Sequence, residues 1–351
     1  MILETGKLDS EILKKIVFGK ITYRRDDVKV RPGIGEDCAV IDFGDYDCVM
    51  STDPISSAVN DIGRLSIHIT CNDIASNGVQ PLGIMLAVML PEGTTDEDVE
   101  HIMAQAAQTA AEVNVEIIGG HTEVTPAVKQ PVIVSTAIGK ILAGKSQSGD
   151  NMVPGDYIIM TKSAGLEGSA IAACDHEAVL REAKAPDGGP LFSEEEIRTA
   201  QGFLDKVSVV KEGVAAGKVG THGMHDITEG GILGAVWEMC QISGTGCEVW
   251  EDAVPMEPET AKICSFFGVD PLRLISSGSM VIIDPEDKKD EILSAVQGEG
   301  VEATVIGMIK PAEDGVKMIT KTKTCGTGGL GRIRVTIDPP YADEIYKIVK
   351  R

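Results

Sequence analysis

Short polar clusters that could hold a metal ion recur along this sequence of 351 residues, each at the predicted start or end of a strand or helix. Mg²⁺ prefers hard oxygen ligands, and proteins commonly share it between one or two carboxylates and the phosphates of a substrate. The clusters are Glu36-Asp37, Thr52-Asp53, Asn72-Asp73, Gly119-Gly-His-Thr-Glu123 and His225-Asp-Ile-Thr-Glu229. Together they predict chemistry on a magnesium-bound polyphosphate.

Any one of these clusters, taken alone, also fits a helix cap or a turn, because Asp and Asn side chains bind nearby backbone groups. Asp53 and Asp73 favour a site, since both lie in apolar segments where an uncompensated charge is costly. Gly33 and Gly35 precede Glu36-Asp37, and glycine allows positive φ angles or close approach to a ligand. Glycine turns and helix starts would also offer backbone N–H groups to phosphates.

The elements that must position these clusters alternate between strand and helix in the first half of the chain. The apolar spacing indicates helices at 9–17, 60–77 and 94–113, and strands at 39–42, 48–52, 82–90, 115–118 and 131–141. Gly119-Gly120 is interpreted as a tight turn after the strand at 115–118. The Gly/Ser-rich stretch 143–156 is the predicted domain boundary.

The second half of the chain also predicts a succession of strands and helices, and it shows no sequence repeat of the first half. It predicts strands at 157–161, 272–275, 280–283, 303–309 and 333–337, and helices that start near Gly165 and after Asp226. A polar insertion includes the loop 185–190. His222 and His225 are interpreted as loop histidines with local hydrogen bonds. An α/β N-terminal domain followed by an α+β C-terminal domain is the simplest arrangement.

Composition limits the possible partners. The formal net charge of −22 opposes binding to nucleic acid or to an anionic membrane. The eight cysteines have no CxxC spacing, and no apolar run is long enough to span a bilayer. We therefore expect a cytoplasmic protein with free thiols that binds neither nucleic acid nor membrane.

The order of motifs resembles the aminoimidazole ribonucleotide synthetase (PurM-like) superfamily along nearly the whole chain, with a layout like that of its HypE-like and synthetase-related members. The motifs are GIGEDCAVID, STDPISSAVNDIGRLSIHI, NDIASNGVQPLG, IGGHTEVTP, PGDYIIMTKSAGLEG, HDITEGGILGAVWE and ISSGSM. The resemblance implies a homodimer formed through the N-terminal sheets. It also implies three parts: an N-terminal helix and glycine-rich lid (1–36), a domain that binds ATP and Mg²⁺ (37–150), and a C-terminal domain (151–351).

The resemblance also implies roles for individual residues. Asp37, Asp53 and Asp73 match the acids that hold Mg²⁺, and Asp53, Asp73 and His121 are the implied catalytic residues. The residues implied to bind ATP are Gly33, Gly35, Asn72, Gly119, Gly120, Thr122, Asp226, Thr228 and Glu229. His121 stands where the relatives usually have an acid, and it fits a general acid/base, a phosphate-facing donor or a structural histidine.

The resemblance implies an ATP-dependent enzyme that activates an amide or similar oxygen by phosphoryl transfer, on a small-molecule or protein-borne acceptor. HypE-like proteins end in a reactive cysteine, whereas no cysteine follows Cys325 in this sequence. Two alternatives stay open: a small-molecule kinase similar to thiamine-monophosphate kinase, and a non-catalytic, nucleotide-responsive assembly protein.

Overall fold

Two β-sheets organise the chain. The computed structural model describes Leu8 and residues 10–56, 59–147, 149–323, 330–340 and 342–349. Cys325 lies outside the described residues. The first sheet consists of β1 (Val28–Val30), β2 (Ala39–Asp42), β3 (Tyr46–Ile55), β4 (Pro81–Leu90), β5 (Glu116–Val124) and β6 (Val132–Leu142). The second consists of β7 (Tyr157–Thr161), β8 (Gly223–Asp226), β9 (Gly246–Trp250), β10 (Met280–Asp284), β11 (Ala303–Lys310), β12 (Val316–Lys323) and β13 (Leu330–Thr336).

The strand order is β1-β2-β3-β6-β4-β5 in the first sheet and β13-β12-β9-β11-β7-β10-β8 in the second. All neighbouring strands run antiparallel except two parallel pairs, β4 with β5 and β9 with β12. Mixed sheets with segregated helices are typical of the α+β class, which confirms the predicted fold class.

The helices pack on these sheets and between them. They are α1 (Ser10–Ile12), α2 (Ile62–Ser76), α3 (Asp96–Glu112), α4 (Leu166–Asp175), α5 (Glu177–Glu182), α6 (Glu194–Gln201), α7 (Val210–Val219), α8 (Gly231–Ser243), α9 (Pro258–Phe267), α10 (Lys289–Gly298) and α11 (Ile345–Val349). We call the first sheet with α2 and α3 the N-terminal lobe. The second sheet with α4 to α10 is the C-terminal lobe.

The N-terminal sheet is covered on one face only. Alternate side chains of its strands, among them Val49, Ile84 and Ile133, are buried in one hydrophobic cluster with residues of α2 and α3. The opposite face keeps large apolar side chains exposed, namely Tyr46, Leu82, Met85, Ile118 and Leu142. An exposed apolar sheet face of this size is unusual for a monomer.

The two lobes share a core at the end of α2. Ile74 and Ala75 of α2 belong to the same buried cluster as Ala216, Met224 and Met280 of the C-terminal lobe. The contact brings backbones together, because a Cβ added to Gly213 of α7 would lie 2.6 Å from the carbonyl oxygen of Ala75. Side chains of α2 therefore lie within reach of both lobes.

Several predicted elements match the structure closely. The strands predicted at 39–42 and 157–161 are β2 and β7, and the helix predicted at 94–113 is α3. Thr95 caps α3 through a reciprocal hydrogen-bond pair with Asp98, as its sequence suggested. These elements have strong local signals that tertiary packing does not override.

Two local predictions are wrong. Gly119-Gly120 is not a turn but lies inside β5, where a Cβ added to Gly120 (φ 149°) would be 2.0 Å from the carbonyl oxygen of Leu86. Glycine is therefore needed for close strand approach rather than for chain reversal. Residues 272–275 form turns instead of a strand; there the Ile275 N–H donates to Asp343 Oδ1 (3.2 Å).

Candidate functional site

Acidic side chains from three separate elements meet where the lobes join. Asp37 lies on the loop before β2, Asp73 on α2, and Asp226 at the end of β8. Asp73 and Asp226 are buried, and Asp37 is 12% exposed. The sequence separates Asp37 and Asp226 by just over half of the chain, and the fold brings them to one place.

Asp73 is surrounded by polar groups of the N-terminal lobe. Its Oδ2 accepts a short hydrogen bond from Ser51 Oγ, and its backbone carbonyl accepts one from Cys38 Sγ (3.2 Å). Burial, and then the neighbouring carboxylates of Asp53 and Asp226, raise the pKa of Asp73 well above its ordinary value. Asp53 therefore lies close enough to Asp73 to interact with it, as the predicted pairing requires.

Asp37 and Asp226 are connected through a histidine. His225 Nδ1 lies 2.9 Å from Asp37 Oδ2 and 3.7 Å from Asp226 Oδ1. Burial raises the pKa of Asp37 to about 6, although the charge of His225 opposes that rise. Asp226 Oδ2 is buried and has no hydrogen-bond partner in the described part of the chain.

His225 is itself held from its other side. Its Nε2 lies 3.3 Å from Glu238 Oε2 on α8. Burial alone would lower the pKa of His225, but the carboxylates of Asp37, Asp226 and Glu238 raise it well above its ordinary value. The interpretation of His225 as a loop histidine with local bonds is wrong, since it lies on β8 and its Asp37 partner is 188 residues away.

The chemistry of this site fits a divalent cation. Several carboxylates share a buried space, the pKa values of Asp37 and Asp73 are raised, and one carboxylate oxygen of Asp226 has no partner in the described part of the chain. Buried charges of this kind are normally paired or bound to a metal. Asp37, Asp53 and Asp73 would supply the hard oxygen atoms that Mg²⁺ prefers, so the residues present fit the ion that the motifs imply.

The glycine-rich segment before Asp37 rests on α8. Gly35 has a φ of 76°, and a Cβ there would lie 2.9 Å from Ile242 Cδ1 and 3.2 Å from Glu238 Cβ. Glycine is required at this position both for its backbone angle and for the close approach. The segment thereby places Asp37 beside His225.

A cleft of about 340 Å³ lies beside the acids, between the N-terminal helical turns and α8. Its lining residues are Lys14, Phe18, Gly33, Ile34, Glu36, Gln241 and Ile242. Burial, followed by the nearby charges of Asp37 and Asp150, raises the pKa of Glu36 to about 7. Gly33 therefore borders an open space next to the acids, and its place in a lid over phosphates stays a prediction.

Asn72 has an architectural position. It is fully buried, its Nδ2 donates to the Val207 carbonyl (2.8 Å), and its Oδ1 accepts the Val209 N–H (2.9 Å). Both ends of the side-chain amide are thus occupied by the C-terminal lobe. This arrangement ties α2 to the loop before α7.

The residues of the GGHTE motif stand apart from the acids within one chain. Gly119, Gly120, His121 and Thr122 lie on β5, the edge strand, which is three strands away from β3. The side chain of His121 is 71% exposed, and its Nε2 lies 3.5 Å from Glu123 Oε2. A single chain does not bring His121 to Asp53 and Asp73.

Thr228 and Glu229 form the turn between β8 and α8. The Thr228 carbonyl accepts the Gly231 N–H (3.1 Å), and Glu229 Oε1 accepts a hydrogen bond from the Tyr346 hydroxyl (2.9 Å). Gly230 N–H donates to Asp343 Oδ2 at 2.7 Å. Glu229 thus contacts α11, whereas Asp226 faces the acid cluster.

Sequence reasoning missed three members of the site: Ser51, Glu238 and the bridging role of His225. Ser51 stands two residues before Asp53 on the same strand, so strand alternation could have placed both on one face. Glu238 gives no comparable signal, because it lies within an apolar helix sequence and its partner is set by the fold.

Family comparison places the chain. The model described as AIR synthase related protein, N-terminal domain, matches residues 35–141, and the model of the C-terminal domain matches residues 153–319. The chain therefore belongs to the AIR synthase related protein family, which confirms the resemblance drawn from its motifs.

Several relatives are named for hydrogenase expression and formation or as carbamoyl dehydratase HypE. A Methanocaldococcus jannaschii protein named for hydrogenase expression and formation is 30% identical over 89% of this chain and 90% of its own length. Carbamoyl dehydratase HypE of Rhizobium leguminosarum bv. viciae is 32% identical over 78% of this chain and 76% of its own length. The chain is thus similar, over most of its length, to a named enzyme.

Solved structures show the same two-domain architecture. Hydrogenase maturation protein HypE in complex with ATP aligns with a TM-score of 0.65 at 25% identity, over 98% of this chain and 97% of that one. ThiL complexed with AMPPCP and TMP aligns with a TM-score of 0.69 at 18% identity, over 90% and 96%. Within the described residues, no helix is long and apolar enough to cross a membrane.

Proposed function

We propose that this protein is a Mg-ATP-dependent enzyme that transfers the γ-phosphoryl group to an amide or similar oxygen, as a HypE-like dehydratase would. The observation that carries the proposal is the meeting of Asp37, Asp73 and Asp226 at the junction of the lobes, with an unpartnered carboxylate oxygen. The dehydratase relatives and the ATP complex of HypE support the same reading.

The acids would act by position and charge. Bound Mg²⁺ supplies positive charge that offsets the negative charge of the triphosphate. Asp37, Asp53 and Asp73 would hold the Mg²⁺, and Asp226 would contribute to the same site from the C-terminal lobe. Gly33 and Ile34 line the neighbouring cleft, where backbone N–H groups of this segment would bind phosphate oxygens.

The acceptor step then needs only an in-line oxygen. The amide oxygen attacks the γ-phosphorus as the bond to ADP breaks. For a primary amide, later loss of phosphate and of two protons from nitrogen leaves a nitrile, and the amide oxygen departs in the phosphate. We propose Asp53 and Asp73 as the catalytic residues. The acceptor would be either a small molecule or a group carried by a protein.

A homodimer through the N-terminal sheets is part of the proposal. The open apolar face of that sheet supports it, because Leu82, Met85 and Ile118 would be covered by a second copy. A role for His121, Gly119, Gly120 and Thr122 at the nucleotide would then require β5 to meet the site of the partner. The proposed division into parts at 1–36, 37–150 and 151–351 is supported by the change of sheet between β6 and β7.

Phosphorus NMR tests the reaction. Purified protein with Mg-ATP and candidate amides is followed over time beside Asp53→Asn, Asp73→Asn and the control Asp290→Asn, whose carboxylate is 92% exposed far from the acids in sequence. We expect amide-dependent ADP and free phosphate from the wild type and the control, and a loss of about 100-fold or more in the two site variants.

Other results would redirect the proposal. A new phosphoester signal would identify a small-molecule kinase instead. ATP that stays intact with every acceptor, but raises the melting temperature, would favour a nucleotide-responsive assembly protein. Unchanged turnover in both site variants would refute the assignment of the acids.

A further inference from the structure

We propose that β13, the edge strand of the second sheet, is a docking site for an acidic segment of a partner protein, which adds to the sheet in an extended conformation. The proposal rests on the free edge of β13, on a basic face beside that edge and on a groove in this face. It goes beyond the function proposed above and does not depend on it.

The outer edge of β13 is open to a further strand. β13 (Leu330–Thr336) stands at the end of the strand order, and among the described residues it pairs only with β12. The edge of a sheet presents backbone N–H and C=O groups to which an extended segment of another chain can bind. A strand of this length spans about 23 Å, which is enough for several such hydrogen bonds.

One face of β12 and β13 gathers positive charge. The strand register places Lys321 opposite Arg332, so these two side chains share a face of the sheet. Arg334 lies on the same face, opposite Ile319, and strand alternation adds Lys317. Four cations are thereby collected at one edge of a chain whose formal net charge is −22.

Nearby carboxylates balance only part of this charge. Glu248 Oε1 lies 2.7 Å from Arg334 Nη2, and Asp252 Oδ2 lies 2.7 Å from Lys321 Nζ and 3.8 Å from Arg332 Nη2. The side chains of Arg332 and Arg334 remain 63% and 66% exposed. The surplus of cations over carboxylates is complementary to a partner that carries acidic side chains.

A groove of about 350 Å³ lies at this face. Its lining residues are Glu248, Trp250, Ile319, Arg332, Ile333 and Arg334. Tryptophan and arginine are enriched among the residues that supply most of the binding energy at protein interfaces. The groove therefore offers a place for a side chain of the added strand beside the arginines.

The charges favour an acidic partner over a second copy of this chain. Two β13 strands paired antiparallel about Ile333 would place Arg332 opposite Arg334 twice, and like charges directly opposite each other destabilise a sheet. A strand with Glu or Asp at those positions would bring opposite charges together instead. Ile333 and Val335, which are 47% and 40% exposed, would contact the alternate side chains of the added strand.

The docking edge is remote from the acid cluster. β8, which carries Asp226, stands at the other end of the same strand order, six strand spacings from β13. At about 4.8 Å for each spacing, the two edges are roughly 29 Å apart. A docked segment would therefore leave phosphoryl transfer unchanged, and either proposal can fail without the other.

Fluorescence anisotropy with a labelled peptide tests the charge of the partner. The probe has a typical strand length of about eight residues and alternates glutamate with valine; its control has lysine in place of glutamate. The full-length protein should bind the glutamate peptide about 10-fold or more tightly than the lysine peptide, and less tightly as salt is raised. Equal binding of the two peptides, or no binding of either, would overturn the proposal.

A double variant assigns the binding to β13. Arg332→Gln with Arg334→Gln should weaken binding of the glutamate peptide by about 10-fold or more. Arg25→Gln with Arg181→Gln is the matched control, because it changes the net charge equally and both residues are also exposed and ion-paired. The control should keep wild-type affinity. An equal loss in both double variants would contradict docking at β13.

Changes to the peptide backbone cover the case in which the double variant of β13 does not fold. In a sheet, alternate residues of a strand turn their N–H toward one neighbour. Methylation of the backbone nitrogens of either the glutamates or the valines should therefore abolish binding, while methylation of the other set should preserve it. An equal effect of the two methylated peptides would contradict strand addition.

The mass of the protein distinguishes a second copy from an acidic partner. Light scattering of the wild type is measured over the concentration range of the peptide titration. The mass should stay constant while the glutamate peptide binds. Peptide binding that disappears as the protein assembles beyond the proposed dimer would assign the β13 edge to a second copy and overturn the acidic partner.

Discussion

At the scale of single residues, the protein keeps carboxylates in places that disfavour their charged form. Burial raises the pKa of Asp37 to about 6 and that of Asp284 to about 7, and it raises the pKa of Asp73 well above its ordinary value. The proposed function gives Asp37 and Asp73 a use in binding a cation. Asp284 lies at the opposite end of β10 from the residue paired with Asp226. The free-energy cost of burying its charge is therefore independent of the acid cluster.

We expect stability to fall as the pH rises from about 5 to 8 in protein without metal or nucleotide. A carboxyl with a raised pKa binds more protons in the folded than in the unfolded chain over this range, so the free energy of unfolding decreases with pH. Asp284→Asn should make the decrease smaller, since both Asp284 oxygens are buried without partners in the described structure. Urea unfolding at several pH values measures it.

The matched control is Asp314→Asn, an acid with an exposed side chain just before β12, whose charge does not contribute to the raised pKa of Asp284. It should keep the wild-type pH dependence. An Asp284→Asn profile that is parallel to the wild type would contradict a raised pKa for Asp284. The comparison uses the slope with pH, because a buried asparagine amide also changes the absolute stability.

At the scale of elements, the segment before β2 connects the two lobes. Gly35 lies against α8 with no room for a side chain, and the segment ends at Asp37, which bonds His225. Its glycines were interpreted from sequence as a phosphate lid. The structure adds that Gly35 is needed for packing on α8.

Gly35→Ala should displace Asp37 and weaken Mg-ATP binding by roughly 10-fold or more, because a shift of about 1 Å at a positioned ligand has large effects. Gly44→Ala is a close control: Gly44 also has a positive φ of 81°, but a Cβ there meets nothing within 4 Å. Calorimetric titration with Mg-ATP compares the two. Equal binding in both variants would mean that the contact with α8 does not position Asp37.

The sequence predicts well what is determined locally. β2, β7 and α3 follow from apolar periodicity and a capping pair. Asp53 and Asp73, selected for their apolar context, do lie close together, and their role in holding a metal stays a prediction. The pairing of His225 with Asp37 and Glu238 could not be predicted, because it depends on how β8 and α8 meet a loop 188 residues earlier. The turn predicted at Gly119-Gly120 was wrong for a related reason: position 120 requires glycine because the neighbouring strand lies too close for a side chain.

At the scale of the whole molecule, one apolar face of the N-terminal sheet stays uncovered in a single chain. It exposes Leu82 and Met85 of β4 beside Ile118 of β5. The same edge strand carries His121. Dimerisation would therefore determine both the solubility of this face and the surroundings of the GGHTE motif.

Ile118→Asp should convert the proposed dimer into a monomer, because it places a charge within an apolar interface. Val179→Asp is the control, since Val179 is similarly exposed (46%, against 49% for Ile118) but lies on α5. Light scattering coupled to size exclusion gives the mass. A wild-type monomer, or a dimer that survives Ile118→Asp, would contradict the interface.

The contact between α2 and α7 has a consequence for how substrates enter. A Cβ added to Gly217 would lie 2.4 Å from the Cα of Gly78, as one at Gly213 would lie 2.6 Å from the Ala75 carbonyl oxygen. Surfaces fitted at backbone distance leave little freedom for rocking about a hinge. We therefore expect access to be gated by the chain before Asp37 peeling away from α8, while the two lobes stay together as one rigid frame.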